Sequence, residues 1–343
     1  MYVLSAAQAI SPAIERTRRT LFRPFRLGTF LKLCAIAVFT EGFGGNFNFS
    51  TPSGSSSHHA DQFAPPNLTP GLIAIIVAGL LVALIVTVLL FYLVTRLRFA
   101  LFHCLTHQVS EIKPGWRLYR NQANRFFRLN IVLGMLFLFV VIVIAAPFAA
   151  GFYRVFQESR PGAFHFGLFF ALFLPLFALI FLLIFAALIA DIVLRDFMLP
   201  HFALEDATGA EAWAIVRTRI AAEKGSFVLY AFLRVLLPFA AMTALIMVLA
   251  IPMIIVFAIL AAFFAGFHAL IAAAAVRIVL GVVLGVIALA FALLIAICFG
   301  GPLSIWVRNY ALVFYGSRYP LLGRALYPPP PQPLYAAEGF PSA

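Results

Sequence analysis

Charge is scarce in this chain. Only 10% of its 343 residues are Asp, Glu, Lys or Arg, 12 acidic and 24 basic, against 64% hydrophobic, which is more apolar surface than a soluble core can bury. Cysteine is scarcer still. Cys34, Cys104 and Cys298 stand singly on or beside apolar runs and read as small buried hydrophobes rather than a disulfide framework or a metal site. Lysine is nearly absent among the basic residues, 3 against 21 arginines, so the guanidinium group, suited to phosphate-rich headgroups, dominates. Catalytic signatures are missing as well. There is no Gly-x-Ser-x-Gly elbow, no phosphate-binding glycine loop, no Gly-x-Gly-x-x-Gly after a strand and no facing pair of intramembrane aspartates. The sequence therefore assigns no catalytic residue, no cofactor and no metal. A secretory signal is also absent: five arginines from Arg16 to Arg26 precede the first apolar run, and no small-x-small site follows it, so the N-terminus is expected to be retained.

What is present is a succession of long apolar runs, with a mean hydropathy of +1.05. The reading is an all-α, polytopic membrane helix bundle of about six transmembrane helices. Residues 1–26 form a basic amphipathic segment whose helix starts at Ser11-Pro12. Residues 27–316 form the transmembrane domain, with an exterior Gly/Ser/Pro loop at 44–70, and residues 317–343 a Pro-rich disordered tail. The first span, Leu27 to Phe43, carries Lys32 and Glu41 near its ends, with Lys32 reaching inward and Glu41 outward. The apolar stretch 227–276 is consistent with one span or two. Gly300-Gly301-Pro302 is expected to end the last span, leaving LSIWVRNYALVFYG at the interface with Trp306, Tyr310 and Tyr315 as headgroup anchors.

Two basic connectors join the spans. Arg98, Trp116 and Arg120 in the first share their spacing with Arg195, Trp213 and Arg217 in the second, which suggests a duplicated unit of apolar helix, surface connector and apolar helix. In the first connector Trp116, Tyr119, Ala123 and Phe127 fall on one helical stripe and Arg117, Asn121, Asn124 and Arg128 on another, as in a helix lying in the membrane surface. Both tryptophans are expected to dock at the inner mouth of the bundle. Trp116, Arg117, Arg120, Arg128, Trp213 and Arg217 are the candidate contacts for lipid headgroups, anionic ones included. The net charge of +12 is spread over such connectors rather than gathered in one domain, so membrane lipids, not nucleic acid, are the expected partners; no protein partner can be named.

Within the apolar runs, Arg234 needs a partner or a path to water. Asp191 and Asp196 lie closest to it in depth, and Arg234 with one or the other of them is a candidate intramembrane polar pair. His58, His59 and Asp61 in the exterior loop, and His103, His107 and Glu111 at helical spacing, lack the further ligands that a metal needs.

The runs ERTRRTLFRPFRLGTFLKL, GGNFNFS and RNYALVFYG resemble a family of uncharacterised bacterial multi-pass membrane proteins. The connector pattern is, more loosely, similar to the membrane domain beside some glycerophosphodiester phosphodiesterases. The first resemblance implies an inner-membrane bundle and no known activity; the second implies a link to glycerolipids.

The function expected is that of a non-catalytic accessory organising lipid or a partner protein. The alternatives are a small-solute or lipid transporter and a membrane enzyme of lipid metabolism. With six spans and both termini cytoplasmic, 20 of the 24 basic residues face inward, as the positive-inside rule requires. Reporter fusions after Ser57, Arg160 and His268 should then read as exterior, and those after Lys113, Glu211 and Arg324 as cytoplasmic. An exterior signal at Arg324 would replace six spans with seven.

Overall fold

The computed structural model describes residues 3–42, 70–158, 166–270 and 274–328. Among the described residues every regular element is helical. Twelve α-helices follow one another: α1 Ile10–Phe22, α2 Leu27–Gly42, α3 Pro70–His107, α4 Ile112–Leu118, α5 Arg120–Glu158, α6 Phe166–Ile192, α7 Leu199–Leu204, α8 Gly209–Ala222, α9 Lys224–Leu270, α10 Ala274–Ile295, α11 Gly301–Gly316 and α12 Pro320–Leu326. Two π-helical turns, Val193–Met198 and Ala296–Gly300, join α6 to α7 and α10 to α11 without a break.

Five helical stretches among the described residues are long and apolar enough to cross a membrane: Ile73–His107, Arg120–Val155, Phe166–Leu204, Lys224–Val256 and Gly281–Gly316. α2, the first expected span, has 16 residues and reaches only about 24 Å, short of the ~30 Å hydrocarbon layer. Of the ambiguous stretch 227–276, residues 227–270 belong to one helix, α9, and 274–276 begin α10.

Each long helix has two halves. The apolar half is open to its surroundings, as Leu80, Leu84, Leu174, Phe177, Ile246 and Val286 show. The other half packs into a core with α1, α4, α8, α11 and α12 at the connector end. Phe99 of α3, Phe126 of α5 and Phe202 of α7 stack edge to face at 5.6 and 5.3 Å, which ties the two connectors together.

The central element is α11, against which α1, α2, α9 and α12 all pack. This corrects its expected interfacial position: Tyr310 and Tyr315 are buried, not headgroup anchors, and Trp306 is half-buried. Gly300-Gly301-Pro302 does not end the helix. Proline lacks a donor and crowds the carbonyl four residues back, here Cys298, and a π turn is in place at that point to relax the ladder. The same device precedes Pro200, whose crowded carbonyl belongs to Asp196.

The terminal segments are part of the core. Arg16 is buried on the inner face of α1 and donates to the carbonyls of Leu105 (2.6 Å), Thr106 (2.9 Å) and Leu326 (3.0 Å), which supplies donors to the buried C-terminal carbonyls of α3 and α12. The first part of the expected disordered tail is helix α12, packed on α3, α7 and α11. The polyproline run from Pro329 and nearly all of the loop at 44–70 lie outside the described residues.

The two connectors occupy the same end and touch through Arg125 and Asp206. Each follows a helix that ends at a left-handed residue, Gln108 (φ 54°) and Asp206 (φ 55°). The second stop falls one residue later relative to the shared Arg and Trp positions, as expected if the π turn before it holds one extra residue. Gly115 and Ala212 are buried at matching places, as are Tyr119 and Val216, while Arg120 and Arg217 are exposed. The helix boundaries differ. The expected continuous in-plane helix of the first connector is broken at Tyr119, and α4 folds back on α3 so closely that a Cβ on Gly115 would fall 3.2 Å from Ala100 Cα. In the second connector α8 is intact, started by a capping box in which Thr208 N–H donates to Glu211 at 2.8 Å. That bond holds the Glu211 carboxyl below the usual range. Neither tryptophan docks at an inner mouth: Trp116 lies under the Arg96 guanidinium at 4.2 Å, and Trp213 is 47% exposed.

The α2–α11 crossing depends on Gly301, where an added Cβ would meet Cys34 Cα at 2.8 Å, a backbone atom that cannot swing aside. Gly301→Val should therefore lower stability by about 3 kcal/mol. Gly281→Val, at an open position, should be nearly neutral. Thermal melts of both variants in detergent check the contrast.

Candidate functional site

Where the apolar halves meet the core, charged side chains from five helical segments converge. Asp196, in the first π turn, is 1% exposed. It accepts hydrogen bonds from Arg234 Nε of α9 at 3.0 Å, Tyr230 OH of α9 at 2.8 Å and Arg308 Nη1 of α11 at 3.1 Å. Arg234 also donates to Glu41 of α2 at 3.2 Å. Asp191 pairs with Arg195 one turn away, and Arg195 Nη1 approaches Glu41 at 3.8 Å. Arg98 of α3 is 4% exposed and donates to the carbonyl of Thr40 through Nε at 3.3 Å and Nη2 at 3.2 Å. Tyr230 is stacked between Tyr310 at 5.1 Å and Phe314 at 4.4 Å, which fixes the direction of its hydroxyl.

The local sequence explains this convergence. An α-helix would spread Arg195, Asp196, Phe197 and Met198 around its circumference, but all four are buried here, in a wider turn that faces neighbours on several sides. Desolvated charges are tolerable only when paired and hydrogen-bonded, and each carboxylate of the cluster has an arginine partner.

Of the residues picked out from the sequence, Arg234 lies against Asp196, while Asp191 belongs to Arg195. Glu41 does not reach outward as expected; it is drawn into the cluster between Arg195 and Arg234. Arg308 as a charged residue and Tyr230 were not singled out, and Arg98 and Arg195 stood out only by the spacing that the two connectors share. Arg308 had a signal of the same kind as Arg234, an arginine inside an apolar helix, masked by the interfacial reading of its segment. Arg117, Arg120, Arg128, Trp213 and Arg217 are exposed at the connector end and Trp116 is half-buried there, all away from the cluster.

A cavity of about 840 Å³ rests on this cluster. Its floor presents Glu41, Asp191, Arg195 and Arg234. Its walls are apolar and run away from the connectors along α6, α9 and α10, with Leu188, Pro238, Met242, Leu249, Ala292 and Ile295 among the lining. Phe239 and Ile246 remain 70% and 58% exposed, so the cavity opens sideways between helices. One charged end and one long apolar side match an amphiphile.

A second polar chain lies deeper in the core. His201 is fully buried, with Nδ1 2.7 Å from Glu205 Oε2 and Nε2 2.7 Å from Tyr315 OH. Arg219 of α8 lies 4.8 Å over the Tyr319 ring and donates to Tyr315 OH at 3.4 Å. Burial alone would push the Glu205 carboxyl up, but the hydrogen bond with His201 and the Arg219 charge outweigh it and leave it below the usual range. This chain resembles a nucleophile relay but lies outside the cavity lining, and it staples α7, α8 and α11 together. His103 and His107 have rings 4.6 Å apart, and no group of three potential metal ligands occurs among the described residues. His58, His59 and Asp61 lie outside them.

Comparison with known proteins adds the family but no activity. No curated protein and no solved structure matches the chain. One family description, "Family of unknown function (DUF7544)", matches residues 4–324, from just before α1 to within α12, so that α1, the connectors, the charge cluster and α11 all fall inside it. The protein belongs to this family of unknown function.

Proposed function

We propose that the protein is a non-catalytic, multi-pass accessory of a bacterial inner membrane, with both termini and both connectors cytoplasmic, that holds a lipid-like amphiphile at the cytoplasmic boundary of the bilayer. The observation that carries this reading is the cavity of about 840 Å³ with a charged floor and apolar walls. That volume lies in the range of roughly 300–1,000 Å³ typical of pockets for one ligand. A headgroup at the floor leaves its chain along α9 and α10, parallel to lipids of the same leaflet. The exposed Arg117, Arg120, Arg128 and Arg217, with Trp116 and Trp213, serve as contacts to surrounding headgroups, anionic ones included.

A second reading has one observation in its favour. The cavity is open and contains Arg234, as a carrier site needs, so movement of the amphiphile between leaflets is the rival to static holding. Flux of a labelled lipid across proteoliposomes separates the two.

Ala292 lines the cavity and is exposed, so Ala292→Trp fills it without entering the core. Protein purified from native membranes in mild detergent should retain a lipid detectable by mass spectrometry. The Ala292→Trp variant should lose most of it with an unchanged melting temperature. Equal lipid retention by both proteins would overturn the reading.

A further inference from the structure

The charges of the floor do not balance. Among the described residues the cluster holds four guanidiniums, Arg98, Arg195, Arg234 and Arg308, against three carboxylates, Glu41, Asp191 and Asp196. All three carboxylates are already engaged. Asp196 is shared by Arg234, Arg308 and the Tyr230 hydroxyl, Asp191 holds Arg195, and Glu41 takes Arg234 at 3.2 Å. Glu41 serves Arg195 only at 3.8 Å, beyond hydrogen-bond length. Arg98 has for its hydrogen-bond acceptor a neutral carbonyl, that of Thr40, and Arg308 Nη2 is buried with no hydrogen-bond partner. One positive charge is in excess among side chains that, Asp191 apart, are largely desolvated. An excess cation at such a place is held comfortably only beside an anion.

Geometry brings that excess to a ligand. Arg195 and Arg234 are the cationic residues of the cavity lining; Arg234 is linked through Asp196 to Arg308 behind it, and Arg98 is held on the carbonyl of Thr40, next in the chain to Glu41. The floor carries two guanidiniums and the carboxylates Glu41 and Asp191 already bound to them, so a negative group set there answers the excess of the cluster as a whole, while its apolar remainder meets Pro238, Met242 and Leu249 on one side and Ile295 on the other.

We propose that the cavity selects a monoanionic amphiphile, whose single negative headgroup, a phosphodiester or a carboxylate, lies against Arg195 and Arg234 with its acyl chain along α9 and α10. This rests on the reading that the cavity holds an amphiphile at all. It goes beyond it in fixing the charge of the headgroup and the residues that read it. A zwitterionic lipid brings its own cation and leaves the excess uncompensated.

The test uses the full chain in detergent micelles, titrated with dioleoyl phosphatidylglycerol, dioleoyl phosphatidylcholine or oleate and read by native mass spectrometry. At least one anionic probe should bind about five- to tenfold tighter than phosphatidylcholine. Preference for phosphatidylglycerol identifies a phosphodiester reader and preference for oleate a carboxylate reader, and either supports the proposal. Arg98→Gln removes the excess charge without touching the cavity lining and should bring the anionic probe down to the level of phosphatidylcholine. Ser304→Asp, which adds a carboxylate to the lining, should do the same and replaces Arg98→Gln should that variant not fold. If all three probes bind equally to the native protein and are all lost in Ala292→Trp, the charge selectivity is overturned while the amphiphile site stands. If no probe binds, or Ala292→Trp binds as the native protein does, both readings fall. Preference for the anionic probe that persists in both charge variants also overturns the proposal.

Discussion

A carboxylate with almost no access to solvent governs the architecture. Asp196 sits where the apolar helices enter the connector-end core, and its charge is tolerable there only because α9 contributes Arg234 and Tyr230 and α11 contributes Arg308. Those three bonds fix the rotation of two helices about their axes relative to a third. A buried ion pair adds little net stability over a well-packed apolar alternative, since desolvation nearly cancels the Coulomb gain, but losing one partner strands the other at a cost of about 3–5 kcal/mol. The cluster thus specifies one arrangement rather than simply strengthening any. The proline at 200 has a part in this, because the π turn that relieves its clash with the Asp196 carbonyl also turns Arg195 and Asp196 toward the interior together.

Packing is unevenly distributed as a result. The connector end has aromatic stacks, capped helix ends and buried polar bonds, while the far halves of α3, α5, α6, α9 and α10 display most of their apolar side chains to their surroundings, with α5 and α6 meeting at Phe152 and Phe169. In lipid, apolar helices gain little from touching one another, since acyl chains are as apolar as leucine. The loosely gathered halves follow from the solvent, and the core at one end holds them in register. The cavity lies at the junction of the two regimes, which gives it both a charged floor and apolar walls.

Much of this was legible in the residues. The long apolar runs fixed five helices by length alone, and the depth of Arg234 pointed to a carboxylate near the end of the fourth run. The shared spacing around Trp116 and Trp213 pointed to two connectors at one end, with left-handed stops that the structure places almost in register. Other features were hidden for physical reasons. Glu41 was weighed against Lys32 on its own helix, and helical spacing says nothing about a partner nearly two hundred residues away. Gly300-Gly301-Pro302 carries the signs of a helix stop, and only the π turn converts it to a continuation; that single misreading displaced α11, and with it Arg308, from the centre to the periphery. The connector tryptophans were assigned to the mouth of the bundle from their matched spacing, whereas α4 folds back on α3 through Gly115 and leaves Trp116 beside Arg96.

If Asp196 is the fixed point, its bond to Arg234 must carry energy that neither residue has alone. A double-mutant cycle of Asp196→Asn and Arg234→Gln, measured by reversible unfolding in detergent micelles, isolates that term. The account predicts a coupling of more than about 1.5 kcal/mol between the two positions. Additivity within about 0.5 kcal/mol would mean that the two side chains are neighbours without being partners, and would contradict it.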